Sequence, residues 1–503
     1  ATSNWINSPT GIANLTGASS ISGNLVNGGN VNLGAGSSLT ILGNTNNAGR
    51  VTFAGAGTFT TAGSMANTGI INARNNLTSN VVTVGGNYSG GGQFWADYST
   101  NTATADRLNI GGSATGNTNV TMNLVGTRSF VPGGFLPVVT VAGAAPASAF
   151  TSSTVFPTTG FILDSFGQNP SNAHQFGLIQ AVNPTAAGLG NLSYMAESAS
   201  GLLDDPISPF VTNRTDVGGT RFSLWMRGSG GHSKQTISSS LTGGGLTYNS
   251  ISRFRTSQHA AQIGADVSFG GIGGGWKVNV GVMGGWYGAS APLAGGERIK
   301  VETPFVGGYA VVGNGAFELE GNIRKEWRHY TVAMPSLFGT VGTQRMRGDA
   351  TAGSARISYR VGGKTGFAAT PFASFNYADT KIDPLAIDAF SVWTPGSDTT
   401  KIGQAGLRLS YRGGSEATAT FEPFISAARM ENWSRSDGSS FAFGAPVTTF
   451  SLQSNTWKNA MRYSAGLLVN AHDSRVSGFV VGNVDDDSRL RSFTINAGLR
   501  FNF

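Results

Sequence analysis

The chain has 503 residues, more than one ordinary domain holds, and only 12% of them are charged against 39% hydrophobic. Its 74 glycines and mean hydropathy of −0.05 do not suit a soluble helical enzyme, and no run approaches the roughly 18 apolar residues a membrane helix needs. The absence of cysteine excludes a disulfide framework, a thiolate zinc site and a cysteine nucleophile, and the net charge of +7 comes without a dense Lys/Arg run, which argues against a nucleic-acid partner.

No basic stretch followed by an apolar one opens the chain. We expect either that a leader has been removed or that the sequence begins within a longer precursor. Residues 1–182 form a first region of short strands separated by Gly, Asn, Ser and Thr, as in Ser38-Leu-Thr-Ile-Leu, Arg50-Val-Thr-Phe and Thr58-Phe-Thr-Thr. Near-repeats occur, Leu25-Val-Asn-Gly-Gly-Asn-Val-Asn-Leu beside Met65-Ala-Asn-Thr-Gly-Ile-Ile-Asn-Ala, and lysine is absent. Strands this short bury a core only when stacked as rungs, which predicts a right-handed parallel β-helix rather than a disordered Gly/Asn linker.

A linker over 183–217 follows. From Thr185 to Asp205 the apolar residues Leu189, Leu192, Met195, Ala196, Ala199, Leu202 and Leu203 recur at three-and-four spacing, predicting a helix with one apolar stripe. Pro184 and Thr185 suit its start and Pro206 its end, while Gly188, Gly190 and Gly201 weaken it.

Residues 218–503 carry long alternating segments. In the last, Phe493, Ile495, Ala497, Leu499, Phe501 and Phe503 alternate with Thr494, Asn496, Gly498, Arg500 and Asn502, one face for lipid and one for a wet lumen. Twelve strands are expected, near 219–229, 259–269, 275–287, 299–312, 316–330, 349–360, 366–378, 401–412, 418–433, 461–470, 474–483 and 490–503. Tight turns such as Gly270–Gly274 and Gly413–Ala417 interleave with long loops at Gly230–Gln258, Thr331–Gly348, Asp379–Thr400 and Ser434–Ala460. Strict short/long alternation belongs to an antiparallel barrel with one rim in the periplasm and one outside, and a soluble sandwich has no reason for it. Trp225, Trp286, Tyr287, Trp327, Tyr330, Tyr377, Trp433 and Phe503 fall near strand ends, where they suit interfacial girdles.

On these motifs the chain resembles the classical autotransporters of type V secretion. Phe222-Ser-Leu-Trp-Met-Arg-Gly, Gln262-Ile-Gly-Ala-Asp-Val and Ala497-Gly-Leu-Arg-Phe-Asn-Phe are similar to the first, second and closing strands of the family's barrel. Val82-Thr-Val-Gly-Gly-Asn-Tyr, Ala105-Asp-Arg-Leu-Asn-Ile-Gly-Gly-Ser-Ala-Thr-Gly, Pro137-Val-Val-Thr-Val-Ala-Gly and Ala149-Phe-Thr resemble its autochaperone region, about residues 80–182. The resemblance implies an outer-membrane barrel that displays its own passenger, an adhesin-like or stalk β-helix, on the cell surface, with the linker helix plugging the pore. It also implies partners: outer-membrane lipid and lipopolysaccharide, the barrel-assembly machinery and periplasmic chaperones, and host or cell-surface ligands for the passenger. Phe503 and Phe501 would be the assembly signal.

The dyad phase points Arg324, Arg356, Arg360, Arg408, Arg412, Arg462, Arg500, Glu318, Glu320 and Glu422 into the lumen, where they either bond the plug or only solvate the pore. No nucleophile elbow or phosphate-binding loop is present, and the histidines His174, His232, His259, His329 and His472 are scattered, so we expect no catalytic residue, metal or cofactor. Asp485-Asp486-Asp487 reads as a solvated turn in the last outer loop rather than a calcium site. The linker asparagines Asn183, Asn191 and Asn213 lack the paired motif of self-cleaving relatives. The competing readings are a diffusion porin and a display anchor for an enzyme domain preceding residue 1.

Overall fold

The computed structural model describes residues 3–205, 219–273, 275–293, 296–363, 365–415, 418–436, 438–471 and 475–503. Residues 206–218, which include Pro206 and Asn213, and His472 lie outside the described residues. The N-terminal region is a parallel β-helix with three sheets as its faces. One stacks Trp5–Asn7, Leu25–Asn27, Thr45–Asn47 and Met65–Asn67, a second Ile12–Leu15, Asn30–Leu33, Arg50–Phe53 and Ile70–Asn72, and a third Ala18–Ile21, Ser38–Ile41, Thr58–Thr61 and Val81–Val84. Alternation within each strand sends Leu25, Val31, Ile41, Val51, Phe53 and Phe59 into a dry core, each no more than 1% exposed.

Two residue types explain how such short strands hold together. At one corner of successive rungs a Cβ on Gly29, Gly49 or Gly69 would lie 2.0–2.2 Å from the carbonyl oxygen of the rung before, so only glycine lets the coils approach. Inside, the side chains of Asn7, Asn27, Asn47 and Asn67 form a ladder, each Nδ2 donating to the next Oδ1 at 2.7 Å. The ladder ends at the Tyr88 hydroxyl, 3.1 Å from Asn67. The near-repeats are thus rungs, and the buried amide column satisfies every step of a polar row that burial alone would penalise. The hairpin Ile162–Asn169 and Asn172–Val182 pairs antiparallel onto Phe135–Val141 and covers the last open edge of the third sheet.

The C-terminal region is a closed antiparallel barrel. Its twelve ring strands are β1 Gly219–Gly243, β2 Leu246–Ile272, β3 Trp276–Pro292, β4 Arg298–Gly313, β5 Phe317–Ala333, β6 Thr343–Tyr359, β7 Gly366–Ile382, β8 Asp398–Ser415, β9 Ala419–Asn432, β10 Asn459–Ala471, β11 Val476–Asp486 and β12 Leu490–Asn502. β1 pairs with β12, Leu224 opposite Phe501, which closes the ring. Outward-facing Leu224, Met226, Ile263, Val282, Ile323, Leu407 and Ile495 are exposed, the lipid face of the alternation.

Three expectations are corrected. The supposed loop Gly230–Gln258 is strand: β1 and β2 run 25 and 27 residues to a turn at Gly244–Gly245, against the 9–11 residues a bilayer needs. The other long connections also hold structure, with Pro335–Phe338 helical and the strands Leu385–Asp388, Ser391–Thr394, Ser439–Phe443 and Thr448–Asn455 paired above the rim. Finally, Trp225, Tyr287 and Tyr330 point inward and are buried, while Trp286, Trp327, Tyr377, Trp433 and Phe503 stay on the outer face. A ring near a strand end takes its face from parity, and these three sit on the lumen parity.

The hairpin end of the β-helix rests on the long-loop rim. Gly133 N donates to Gly244 O at 2.9 Å, Gly160 N to Leu337 O at 3.0 Å, and Thr127 Oγ1 to Ala445 O at 2.7 Å. Phe161 stacks on Phe441 at 4.4 Å between centroids and meets Phe450 edge-on at 5.2 Å, sealing the junction with apolar rings.

Candidate functional site in the barrel lumen

The helical segment enters the lumen from that junction. The Asn183 side chain caps its start, accepting from Thr185 N at 3.1 Å and donating to Ser336 O at 2.8 Å. The segment is 3₁₀ over Pro184–Asn191, where Gly188 and Gly190 fall, becomes α-helical over Leu192–Ser200 (α1), and tightens again over Gly201–Leu203. The glycines cost the first turns their α geometry, but the apolar stripe survives: Ala186, Leu189, Leu192, Met195, Ala196, Ala199, Leu202 and Leu203 are all buried.

That stripe meets an apolar collar made by Ile237, Leu241, Tyr287, Ala289, Val301, Val332 and Leu452. The lumen is therefore not polar along its whole length, as a wet pore would be. Its outer half is a packed core, and the charge lies deeper, around the C-terminal end of the segment.

There Arg324 binds Asp204 at 2.9 Å and Glu326 at 2.7 Å, and donates to the Ser200 hydroxyl at 2.6 Å. Glu326 in turn binds Arg328 at 2.8 Å and accepts from the Ser200 and Tyr287 hydroxyls at 2.9 and 2.7 Å. Arg227 donates to the carbonyls of Leu203 and of Asp205, the latter at 2.7 Å. Arg462, paired with Asp485 at 2.6 Å, lies 3.9 Å from Asp205, whose carboxylate also accepts from Asn483 at 2.9 Å and from Asn496. The peptide end is thus gripped from four sides, through both its carboxylates and its free carbonyls. The last carbonyls of a helix have no partner within it, and Arg227 satisfies that of Leu203 and, just beyond the last turn, that of Asp205.

All ten sequence-assigned lumen residues lie on inward-facing positions, and among the described contacts Arg324 and Arg462 reach the segment. Arg360, Arg408 and Arg412 converge on Glu422 at 2.9, 3.4 and 2.7 Å, a separate cluster near the short-turn rim. Arg500 pairs with Asp266 at 2.7 Å, and Arg356 stacks over Phe372 at 4.0 Å. Glu318 and Glu320 flank Leu319 on the same strand, inward beside Arg356. Arg227, Glu326 and Arg328 join this set on the inward parity of their strands, a signal the alternation itself carries. Asp485 is corrected: with Asp486 it belongs to the end of β11, buried against Arg462 rather than in a solvated turn, while outward Asp486 pairs with Arg491 at 3.1 Å. Among the described residues no three His, Asp or Glu side chains gather to hold a metal, and no helix is long and apolar enough to cross a membrane.

A family model for the autotransporter beta-domain matches residues 224–482, more than half of the chain. No curated protein matches. Among solved structures, the transport unit of the autotransporter AIDA-I from Escherichia coli is 16% identical, covers 63% of this chain and 99% of its own, and superposes with a TM-score of 0.47. The beta domain of the Bordetella autotransporter BrkA is 18% identical over 56% of this chain and 100% of its own, with a TM-score of 0.42. The translocator domain of NalP from Neisseria meningitidis is 13% identical over 64% and 99%, with a TM-score of 0.40. The chain belongs to the autotransporter family, an outer-membrane protein whose strand-built barrel serves the secretion of its own passenger.

Proposed function

We propose that the segment 184–205 plugs the barrel after secretion and anchors residues 1–182 at the surface as a stalk-like or adhesin-like passenger. The observation that carries this is the double grip on the segment, an apolar stripe in the outer half and arginines on Ser200, Leu203, Asp204 and Asp205 in the inner half. A cavity of about 90 Å³ beside Tyr194, Glu197 and Arg462 is room for a few waters. Deleting residues 185–205 should raise single-channel conductance several-fold in planar bilayers. Unchanged conductance overturns the plug.

Residues 80–182 act in this reading as the autochaperone-like block, because they hold the capping hairpin and the contacts to the rim. Limited proteolysis of intact cells should leave this block on the barrel. Digestion that begins at Tyr88 or Phe94 while the first 60 residues survive contradicts it. Phe503 and Phe501 serve as the assembly signal, recognised by the barrel-assembly machinery after delivery by periplasmic chaperones. Phe503 is 71% exposed on the lipid parity, with its N–H bonded to Phe222 O at 3.0 Å and its ring leaning on that of Phe222 at 6.2 Å between centroids, so most of the ring is presented. Removing it should abolish insertion in cells yet leave refolding into detergent from urea intact.

A further inference from the structure

We propose that the outward face of β1, β2 and β12, near the extracellular rim, is a binding site for a phosphorylated lipid of the outer leaflet. Lys234 of β1 stands directly opposite Arg255 of β2 on one side and Arg491 of β12 on the other. All three are exposed on the lipid parity, and Arg253 follows two residues along the same face. Directly opposed like charges across strands repel. Elsewhere on this collar Lys300 is matched by Glu302, Lys325 by Asp349 and Arg429 by Glu431, while other exposed cations such as Arg298, Arg345 and Lys401 stand singly, none opposite a second Lys or Arg in the described pairings. In the row itself only Arg491 has such a partner, Asp486. Among the described residues no carboxylate pairs with Lys234, Arg253 or Arg255, so three cations await an anion from outside the chain.

Height and shape say what carries that anion. The row lies two residues, about 7 Å, outside Phe493 and His232, whose opposed rings stand at the outer girdle. This is headgroup depth. Below it, an apolar trough runs down the barrel wall, about 600 Å³ between Gly230, Phe493 and Ile495, continuing as about 860 Å³ between Met226, Trp286 and Leu499. Gly228 and Ala497 line both parts. A Cβ on Gly228 would meet no atom within 4 Å, so the trough is open where an acyl chain would lie. Cations above an acyl-wide trough match a phosphate on a lipid, and a soluble anion would use only the upper half.

The test uses the full-length chain in nonionic detergent, with bisphosphorylated lipid A as probe and native mass spectrometry as readout. The expected result is about tenfold stronger retention than of the dephosphorylated lipid, weakening as salt is raised. The double variant Lys234→Gln/Arg255→Gln should lose that preference. The control Lys300→Gln/Arg429→Gln should keep it. Should the first pair not fold, Gly228→Leu fills the trough with the cations intact and should lower retention of the phosphorylated lipid. No preference for phosphate in the unaltered chain overturns the proposal. So does a preference that survives Lys234→Gln/Arg255→Gln, one lost equally in the control, retention that Gly228→Leu leaves unchanged, or displacement by inorganic phosphate at the lipid's own concentration.

Discussion

The β-helix and the barrel are built from the same two-residue alternation and are inside out with respect to each other. In the β-helix the apolar parity turns inward, and the solvent face carries Asn, Ser and Thr. In the barrel the apolar parity turns outward to lipid, and the inward parity carries Arg324, Glu326, Arg328 and Glu422. Each holds a row or cluster of buried polar side chains in pairs, but by different means. The β-helix uses neutral amides in a column, repeated every 20 residues, as from Asn27 to Asn47. The barrel uses ion pairs that no repeat relates. Alternation therefore sets two faces, and the surrounding medium decides which of them is the core.

The largest effect should come from breaking the ionic core of the barrel. Glu326 is fully buried between Arg324 and Arg328. Glu326→Ala leaves two buried cations without their shared partner and should cost about 3–5 kcal/mol. The midpoint for urea unfolding of the barrel, followed by gel mobility without heating, is expected to fall sharply.

Its counterpart in the β-helix is nearly as large. Phe59 is 0% exposed among the rungs, so Phe59→Ala should cost about 3–4 kcal/mol in lost burial and cavity. Protease should then cut the passenger while the heat-modifiable mobility of the barrel stays unchanged. By contrast Ile263→Ala on the lipid face should cost less than about 1 kcal/mol, because lipid tails replace the lost contacts. Equal sensitivity at Phe59 and Ile263 would break the inside-out comparison.

The amide ladder gives a smaller effect. Asn47→Ala removes one of the two acceptors of Asn27 Nδ2 and the donor to Asn67 Oδ1 inside a dry core, at about 2 kcal/mol. Proteolysis should map the weakened site to the rungs around residues 27–67, with the barrel again unaffected.

The smallest expected effect is a pH dependence confined to the β-helix. Burial pushes the Asp106 carboxyl up to about 7, against backbone N–H bonds from Asp97 and Asn80 that pull it down, and the Asp97 carboxylate adds to the rise. The folded chain therefore holds a proton that the unfolded chain, near the ordinary 3.8, has lost. Stability of this rung is greatest below that lower value and declines as pH rises through about 7. Hydrogen exchange at Asn80 and Asp97, corrected for intrinsic rates, should show less protection above neutrality than at mildly acid pH. Flat protection across that window contradicts the sign.

Much of this architecture was legible in the residues. Periodicity located the rungs and the apolar stripe of the linker, and the spacing of turns counted the barrel strands. It failed where height and partner mattered. Trp225 reads as a girdle residue from its place near a strand end, yet it lies on the inward parity, its Nε1 donating to the Tyr309 hydroxyl at 2.6 Å. The segment Gly230–Gln258 reads as a loop because Ser, Thr and Gly dominate it. It continues as strand because two edges raised above the membrane still need each other's hydrogen bonds.

What the sequence determined by itself is parity: which side chains of a strand share a face, where the period changes from two to three-and-four, and how many strands alternate with turns. Only the tertiary structure decided which inward charges meet. Arg324 and Asp204 are 120 positions apart, and the Asp205–Asn496 pair spans 291. Parity repeats along one strand, whereas contacts across the lumen depend on ring closure, strand tilt and the depth at which α1 stops, and none of these leaves a periodic trace in the chain.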